Sequence, residues 1–349
     1  MKKILIIGPI HPPYGGISIH IQRLYSLLKN DFDIDFVDES KQIKFEYFNI
    51  RSGKIFTYFL KVLKTDIVFI QSGNQFLKNF HTLIAYLFHK KTILTFHGFG
   101  KKNSFFVTLF NNFFINLSTK ILVVNPEIIF FKKIKKVKTY HRPAYIPPIL
   151  STETDLPIFI DKLLNTSKSK NKIIICSNAS NLRFYKGHDL YGLDMCIDLS
   201  IYLLENKINF IFIFIISSNV LTSVVFKKYQ EYILINNLSN NFFLFNESLS
   251  FVKILSHSDI FIRATNTDGD ALSIREALFL NNIVIASDIV PRPINTIIFK
   301  TRDQIDLNHI CLNTIKNKSF IIKQQNNEFN DLDENKEFYK KFINDAIFS

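Results

Sequence analysis

In the stretch FIRATNTDGDALSIREALFLNNIVIASDIVPRP, residues 261–293, Asp268 and Asp270 flank Gly269 at the end of an apolar strand. The turn leads into a helix, with Glu276 two turns in. A helix start points its unpaired amides and the positive end of its dipole outward. The N–H groups of Asp270, Ala271, Leu272 and Ser273 can therefore hold an anionic or oxygen-rich ligand. A carboxylate at Asp268 can accept hydrogen bonds from sugar hydroxyls, and Gly269 permits a positive φ. Glu276, on the helix face that turns back to the same mouth, can grip the two vicinal hydroxyls of a ribose. The plainer account of these residues is an aspartate N-cap followed by a solvent-facing glutamate.

Two further stretches carry similar chemistry. In GPIHPPYGGISIHIQRL, a strand runs through Gly15 and Gly16 into a helix, so backbone amides meet any anion at the helix start. The spacing differs from the G-x-G-x-x-G of a dinucleotide site, and a tight turn without a ligand explains it equally well. In SNASNLRFYKGHDLYGLD, residues 177–194, Arg183 and Lys186 follow a strand. A guanidinium fork and an ammonium suit a diphosphate; two solvated loop cations are the alternative. No His, Asp or Glu cluster has metal-ligand spacing, and the D-x-D at 268–270 runs straight into a helix, so no metal or other cofactor is expected.

The elements that position these residues alternate. KILIIG, DFDIDFVD, DIVFIQS, KTILTFHG and KILVVN read as strands separated by helical periods. Residues 143–170 break the pattern with prolines and then polar residues. KIIICS, NFIFIFIIS, NFFLFN, DIFIRAT and NIVIAS restart it. The expected fold is α/β, two Rossmann-like doubly wound domains facing an interdomain cleft, with ligands at the carboxyl ends of the strands. The expected boundaries are a first domain over 1–150, a linker over 151–170, a second domain over 171–330 and a terminal helix over 331–349 that packs back on the first domain.

Composition limits the rest. The chain of 349 residues is long for one core, and its 47% hydrophobic content supplies material for two. Three cysteines, Cys176, Cys196 and Cys311, form no disulfide or zinc spacing. No signal peptide is legible in MKKILIIGPIHPP, and the apolar run Phe210–Ile216 is far too short for a membrane span, so a cytoplasmic protein is expected. Residues 1–150 hold 22 Lys and Arg against 8 Asp and Glu, whereas the remainder holds 21 against 22. The whole excess of the net +13 lies in the first half, much of it in 130–142 and at Lys101 and Lys102. One half alone thus faces an anionic partner.

In order and spacing the three stretches resemble the retaining glycosyltransferases of family 4, which have the GT-B architecture. The match rests on P-YGGI-x2-HI at 13–21, KG-x-D at 186–189, and the acid-x7-Glu run at 268–276 followed by NNIVIASD. The resemblance implies an acceptor-binding first domain and a second domain holding a nucleotide-diphospho-sugar. It assigns Gly15 and Gly16 to the loop beside the donor diphosphate and sugar, and Lys186 with Arg183 to the diphosphate. It assigns Asp268 and the amides after it to the sugar, and Glu276 to the ribose. His97, ending TILTFHG, falls where the family often has a histidine facing the reacting sugar, although a strand-end histidine is also often just hydrogen-bonded in place. The family's first acid is usually Glu, here Asp268, and its usual arginine position is Asn181. FIISSN lacks the family's Gly-rich turn.

The implied reaction is transfer of a hexose-type sugar, with retention, to a glycan or lipid-linked acceptor in bacterial surface polysaccharide assembly. Aromatic and lysine residues interleaved in the first half fit an anionic membrane surface on the inner face of the cytoplasmic membrane. The competing readings are a GT-B-shaped nucleotide-sugar epimerase and a basic nucleic-acid-binding protein. The second lacks any recognised module, so no nucleic acid is expected.

Overall fold

The computed structural model describes residues 1–11, 15–97, 105–124, 139–269, 271–319, 321 and 332–349. It divides into two compact units, Met1–Ile146 with Asp331–Ser349, and Pro147–Asn330.

The first unit is built on seven parallel strands: β1 (Lys3–Gly8), β2 (Asp33–Asp38), β3 (Phe48–Asn49), β4 (Ile67–Ile70), β5 (Lys91–Phe96), β6 (Lys120–Val123) and β7 (Thr139–His141). Their order is β3-β2-β1-β4-β5-β6-β7. Consecutive side chains of β1 point to opposite faces, as a strand requires, and both faces are apolar. Ile4 and Ile6 pack with α1 (Gly16–Leu28) and with Tyr339, Phe342, Ile343 and Ala346 of the terminal helix Leu332–Phe348. Leu5 and Ile7 pack with Tyr58 and Val62 of α2 (Ile55–Leu63), Ala85 of α3 (Gln75–Leu87) and Ile115 of α4 (Phe105–Asn116). Gly8 ends β1 where space runs out: a Cβ there would sit 2.7 Å from Ile21 Cδ1.

In the second unit, α5 (Ile158–Ser169) precedes β8 (Ile173–Ala179), and the short strands β9 (Phe184–Tyr185) and β10 (His188–Asp189) form a hairpin. Then come α6 (Leu193–Glu205), β11 (Phe210–Ile216), α7 (Val224–Ile235), β12 (Phe242–Phe245), α8 (Phe251–Leu255), β13 (Ile260–Arg263), α9 (Leu272–Phe279), β14 (Ile283–Ser287), β15 (Thr296–Phe299) and α10 (Gln304–Lys316). Six strands pair in parallel in the order β12-β11-β8-β13-β14-β15. Helices α6, α7 and α10 cover one face, and α5, α8 and α9 the other. All three cysteines are buried in these cores, and burial raises the Cys176 and Cys311 thiols to about 12.

The linker expected over 151–170 is mostly helix. Ile160 and Leu164, spaced i, i+4 on α5, are fully buried in the core of the second unit. The break between units falls instead at Ile146 and Pro147. The apolar stripe was diluted there by polar neighbours, which made a helix look like a connection.

Candidate functional site

Each sheet runs outward from a central pair in two directions, β1 beside β4 and β8 beside β13. Ligands of open parallel sheets bind beyond the carboxyl ends of the strands at such switch points. The candidate residues gather there in each unit.

In the second unit, Arg263 is the last residue of β13, and its Nη1 lies 3.4 Å from Asn178 Oδ1 on β8. Its Nε and Nη2 donate to the two oxygens of Asp268 at 3.1 and 3.0 Å. Arg292 Nη1 donates to Asp268 Oδ2 at 2.9 Å, while its Nε is fixed by the Ser287 carbonyl at 3.0 Å. Thr265 Oγ1 and the Gly269 N–H complete the set on Asp268 at 3.2 and 3.1 Å. Burial raises the pKa of Asp268, but the two guanidinium groups outweigh it and hold the carboxyl below its usual range. The cluster keeps one net positive charge. The sequence reading gives Asp268 to sugar hydroxyls; in the structure both its oxygens are engaged by the protein.

Lys186 and Gly187 form the two-residue turn of the β9–β10 hairpin, with φ of 52° and 79°. Two successive positive φ values match the twist of the strands, and glycine meets the second without strain. The turn exposes Lys186, whose Nζ lies 5.5 Å from the Tyr185 ring centroid. Arg183, also exposed, precedes the hairpin, and its carbonyl accepts from the Leu190 N–H at 2.7 Å. Asn266 ties the hairpin to the Asp268 loop: its N–H donates to the Leu190 carbonyl at 3.1 Å and its Nδ2 to the Tyr185 carbonyl at 3.2 Å. Asp189 turns inward and accepts from the Tyr191 and Leu193 N–H groups at 2.9 and 3.1 Å, just before and at the start of α6, whose N-cap is Gly192.

Ala271 is the N-cap of α9, with no side-chain cap, and Leu272 and Ser273 open its first turn. Asp270 lies outside the described residues. Gly269 does not use the left-handed region expected for it, and a Cβ there would meet open space. Glu276 is 4% exposed, so it is not the solvent-facing glutamate of the plainer account.

In the first unit, Gly15 and Gly16 start α1, and the Gly15 N–H donates to Ser18 Oγ at 2.9 Å. One turn on, His20 brings its ring to 5.1 Å, centroid to centroid, from that of His97. His97 follows β5, and its Nε2 is 2.6 Å from Oε1 of Gln71, the residue after β4. The Nδ1–H of His20 donates to the Ala144 carbonyl at 2.7 Å. Burial lowers the pKa of His20 to about 4, and burial with the nearby His20 and Lys78 lowers that of His97 well below the ordinary value. Both rings are neutral at pH 7. Behind them Glu39 Oε1 accepts from His81 Nε2 at 3.0 Å, and Tyr58 donates to His81 Nδ1 at 2.7 Å.

The basic run 130–138, Lys101 and Lys102 lie outside the described residues. The exposed sides of α2, α3 and α4 carry Phe56, Leu60, Phe76, Leu87, Phe110 and Phe113. Among the described residues no helix is long and apolar enough to cross a membrane.

No protein-family model and no curated protein matches the chain in sequence. Solved structures match along nearly its whole length. HepE from Anabaena in complex with UDP-glucose superposes with a TM-score of 0.69 at 12% identity, covering 99% of this chain and 100% of its own. A glycosyltransferase from Rickettsia africae gives 0.64 at 17% identity, covering 98% of each. The sucrose-phosphate synthase of Thermosynechococcus elongatus gives 0.63 at 10%, covering 100% of this chain and 99% of its own. The fold is GT-B. The GT-B chain thus carries two strand-end clusters, one in each unit. Arg263, Arg292, Gln71 and Lys78 belong to them and were missed in the sequence, where each looks like an isolated polar residue beside an apolar run.

Proposed function

We propose that the chain is a retaining glycosyltransferase of the family 4 type, moving a hexose-type sugar from a nucleotide-diphospho-sugar to a glycan or lipid-linked acceptor. The observation that carries the reading is the Arg263–Asp268–Arg292 cluster, tied through Asn266 to the Lys186 hairpin at the switch point of the second unit. A net positive cluster, two exposed cations and the start of α9, where Ala271 supplies no side-chain cap, together suit a diphosphate. HepE has been crystallised with UDP-glucose, which makes that the first donor to test.

In this reading Lys186 and Arg183 hold the diphosphate, and Gly269 and the α9 amides from Asp270 to Ser273 hold the sugar. Asp268 acts as a positioning residue, since it aims two arginines, while Glu276 accepts from the ribose hydroxyls. Gly15 and Gly16 let the donor approach α1 closely. Stabilising the departing nucleotide diphosphate lowers the barrier, and its phosphate takes the acceptor's proton. Neutral His97 offers a ring nitrogen to a hydroxyl of the reacting sugar. No metal enters the scheme.

The apolar faces of α2, α3 and α4, with exposed Lys54 and Lys64 at the ends of α2, suit an anionic lipid surface and so a lipid-linked acceptor in surface polysaccharide assembly. The test is a thermal-shift panel of nucleotide-sugars with wild type, Glu276→Ala and Lys186→Asn, followed by product analysis with and without acceptor. A donor that binds only the folded protein raises its melting temperature. Turnover unchanged in both variants, or an epimerised donor sugar without acceptor, contradicts the reading.

A further inference from the structure

Helix α3 turns several polar residues inward beside Ala85. It buries Lys78, Asn79, His81 and Thr82 while exposing Phe76, Tyr86 and Leu87. Among the described residues two lysines are buried, Lys78 and Lys120. Lys120 donates to the Phe342 carbonyl at 3.2 Å and lies 3.7 Å from Asp345. The Lys78 ammonium has no hydrogen bond or ion pair among the described residues, although its backbone N–H donates to the Asn74 carbonyl at 3.0 Å. Its Nζ sits 4.1 Å from the ring centroid of Phe96, the residue just before His97.

Such an ammonium is costly on three counts. It is removed from water, it stands in the first turns of a helix where the dipole is already positive, and it lacks a counter-ion. Burial lowers its pKa to about 8, with partial relief from Glu39, so it stays charged at neutral pH. Glu39 does not neutralise it by contact: that carboxylate accepts from His81 at 3.0 Å and forms no ion pair with Lys78. Near His97, Gln71 Nε2 and His20 Nε2 are buried without a partner among the described residues. Three polar groups without a hydrogen-bond partner among those residues thus gather at one strand-end cluster, where each can meet a ligand.

We propose that Lys78 is the anion-binding group of this cluster, which takes a molecule bearing a carboxylate or phosphate next to its hydroxyls. The anion site stands on its own geometry; naming that molecule the acceptor rests on the transfer reaction proposed above. The ammonium fixes the charge, and the Gln71 amide with the His20 ring meets the hydroxyls.

The experiment measures binding of inorganic phosphate, glucose 6-phosphate, glucuronate and uncharged glucose to wild type, Lys78→Met and Lys78→Arg, with UDP-glucose in parallel. Wild type should bind at least one charged sugar about tenfold or more tighter than glucose, with Lys78→Arg keeping part of that preference and Lys78→Met losing it. Preference for glucose 6-phosphate alone assigns a phosphorylated partner, and preference for glucuronate alone a uronic acid. Lys78→Met should melt no lower than wild type without ligand, which separates lost binding from lost folding. Equal binding of charged and uncharged sugars by wild type, or a preference that survives in Lys78→Met, overturns the proposal. If UDP-glucose fails to bind every protein while the charge preference holds, the transfer reading falls and the anion site remains.

Discussion

Arg263 and Asp268, five residues apart, close a two-point ion pair with N–O distances of 3.0 and 3.1 Å at the end of β13. Arg292 reaches the same carboxylate from beyond β14 at 2.9 Å. One acid therefore holds two guanidinium groups, and the Asp268 side chain is only 8% exposed.

Asp268→Asn should destabilise the second unit by about 3 kcal/mol, because it strands two buried arginines beside an amide that is half donor. Urea unfolding checks this. Since the carboxyl pKa lies below its ordinary value, the clamp's contribution is complete above about pH 4 and is lost as pH falls through the folded pKa.

Lys186→Asn separates charge from backbone. Asparagine tolerates the left-handed conformation that Lys186 adopts, so the hairpin and the melting temperature should hold. Donor affinity should fall about tenfold with the loss of one charge-assisted contact. Titration calorimetry with UDP-glucose reads it.

Much of the fold was legible because apolar runs such as Phe210–Ile216 are buried on both faces, and only a covered parallel sheet does that. The hairpin was not, since two strands of two residues leave no period, and its Lys-Gly turn reads as loop. In helix α3 periodicity finds a stripe but not which side faces inward, so the burial of Lys78, His81 and Thr82 is not legible there. Arg263 ends an apolar strand and passes for an isolated charge in the sequence. Its partnership with Arg292 depends on a turn beyond β14, which spacing alone does not fix.

The first unit should lose stability as pH falls from 6.5 to about 4. Unfolded chain binds a proton on His20 over that window while the folded unit, with His20 at about 4, does not. The slope reaches at most about 1.4 kcal/mol per pH unit for one histidine, and His97 adds in the same direction. Denaturation curves between pH 7 and pH 4.5 should flatten in His20→Gln.

Vesicle co-sedimentation tests the apolar face of α2, α3 and α4. Binding to anionic vesicles at low salt should weaken as salt rises, and Phe110→Ser with Phe113→Ser should weaken it further. Equal recovery with neutral and anionic vesicles would remove the lipid surface from the account.

The most direct measurement is titration of UDP-glucose and other nucleotide-sugars into wild type and Glu276→Gln. The account predicts saturable binding to wild type, weakened about tenfold in the variant as a buried acceptor of ribose hydroxyls loses its charge. Failure of every nucleotide-sugar to bind wild type, or equal affinity in a folded Glu276→Gln, would contradict it.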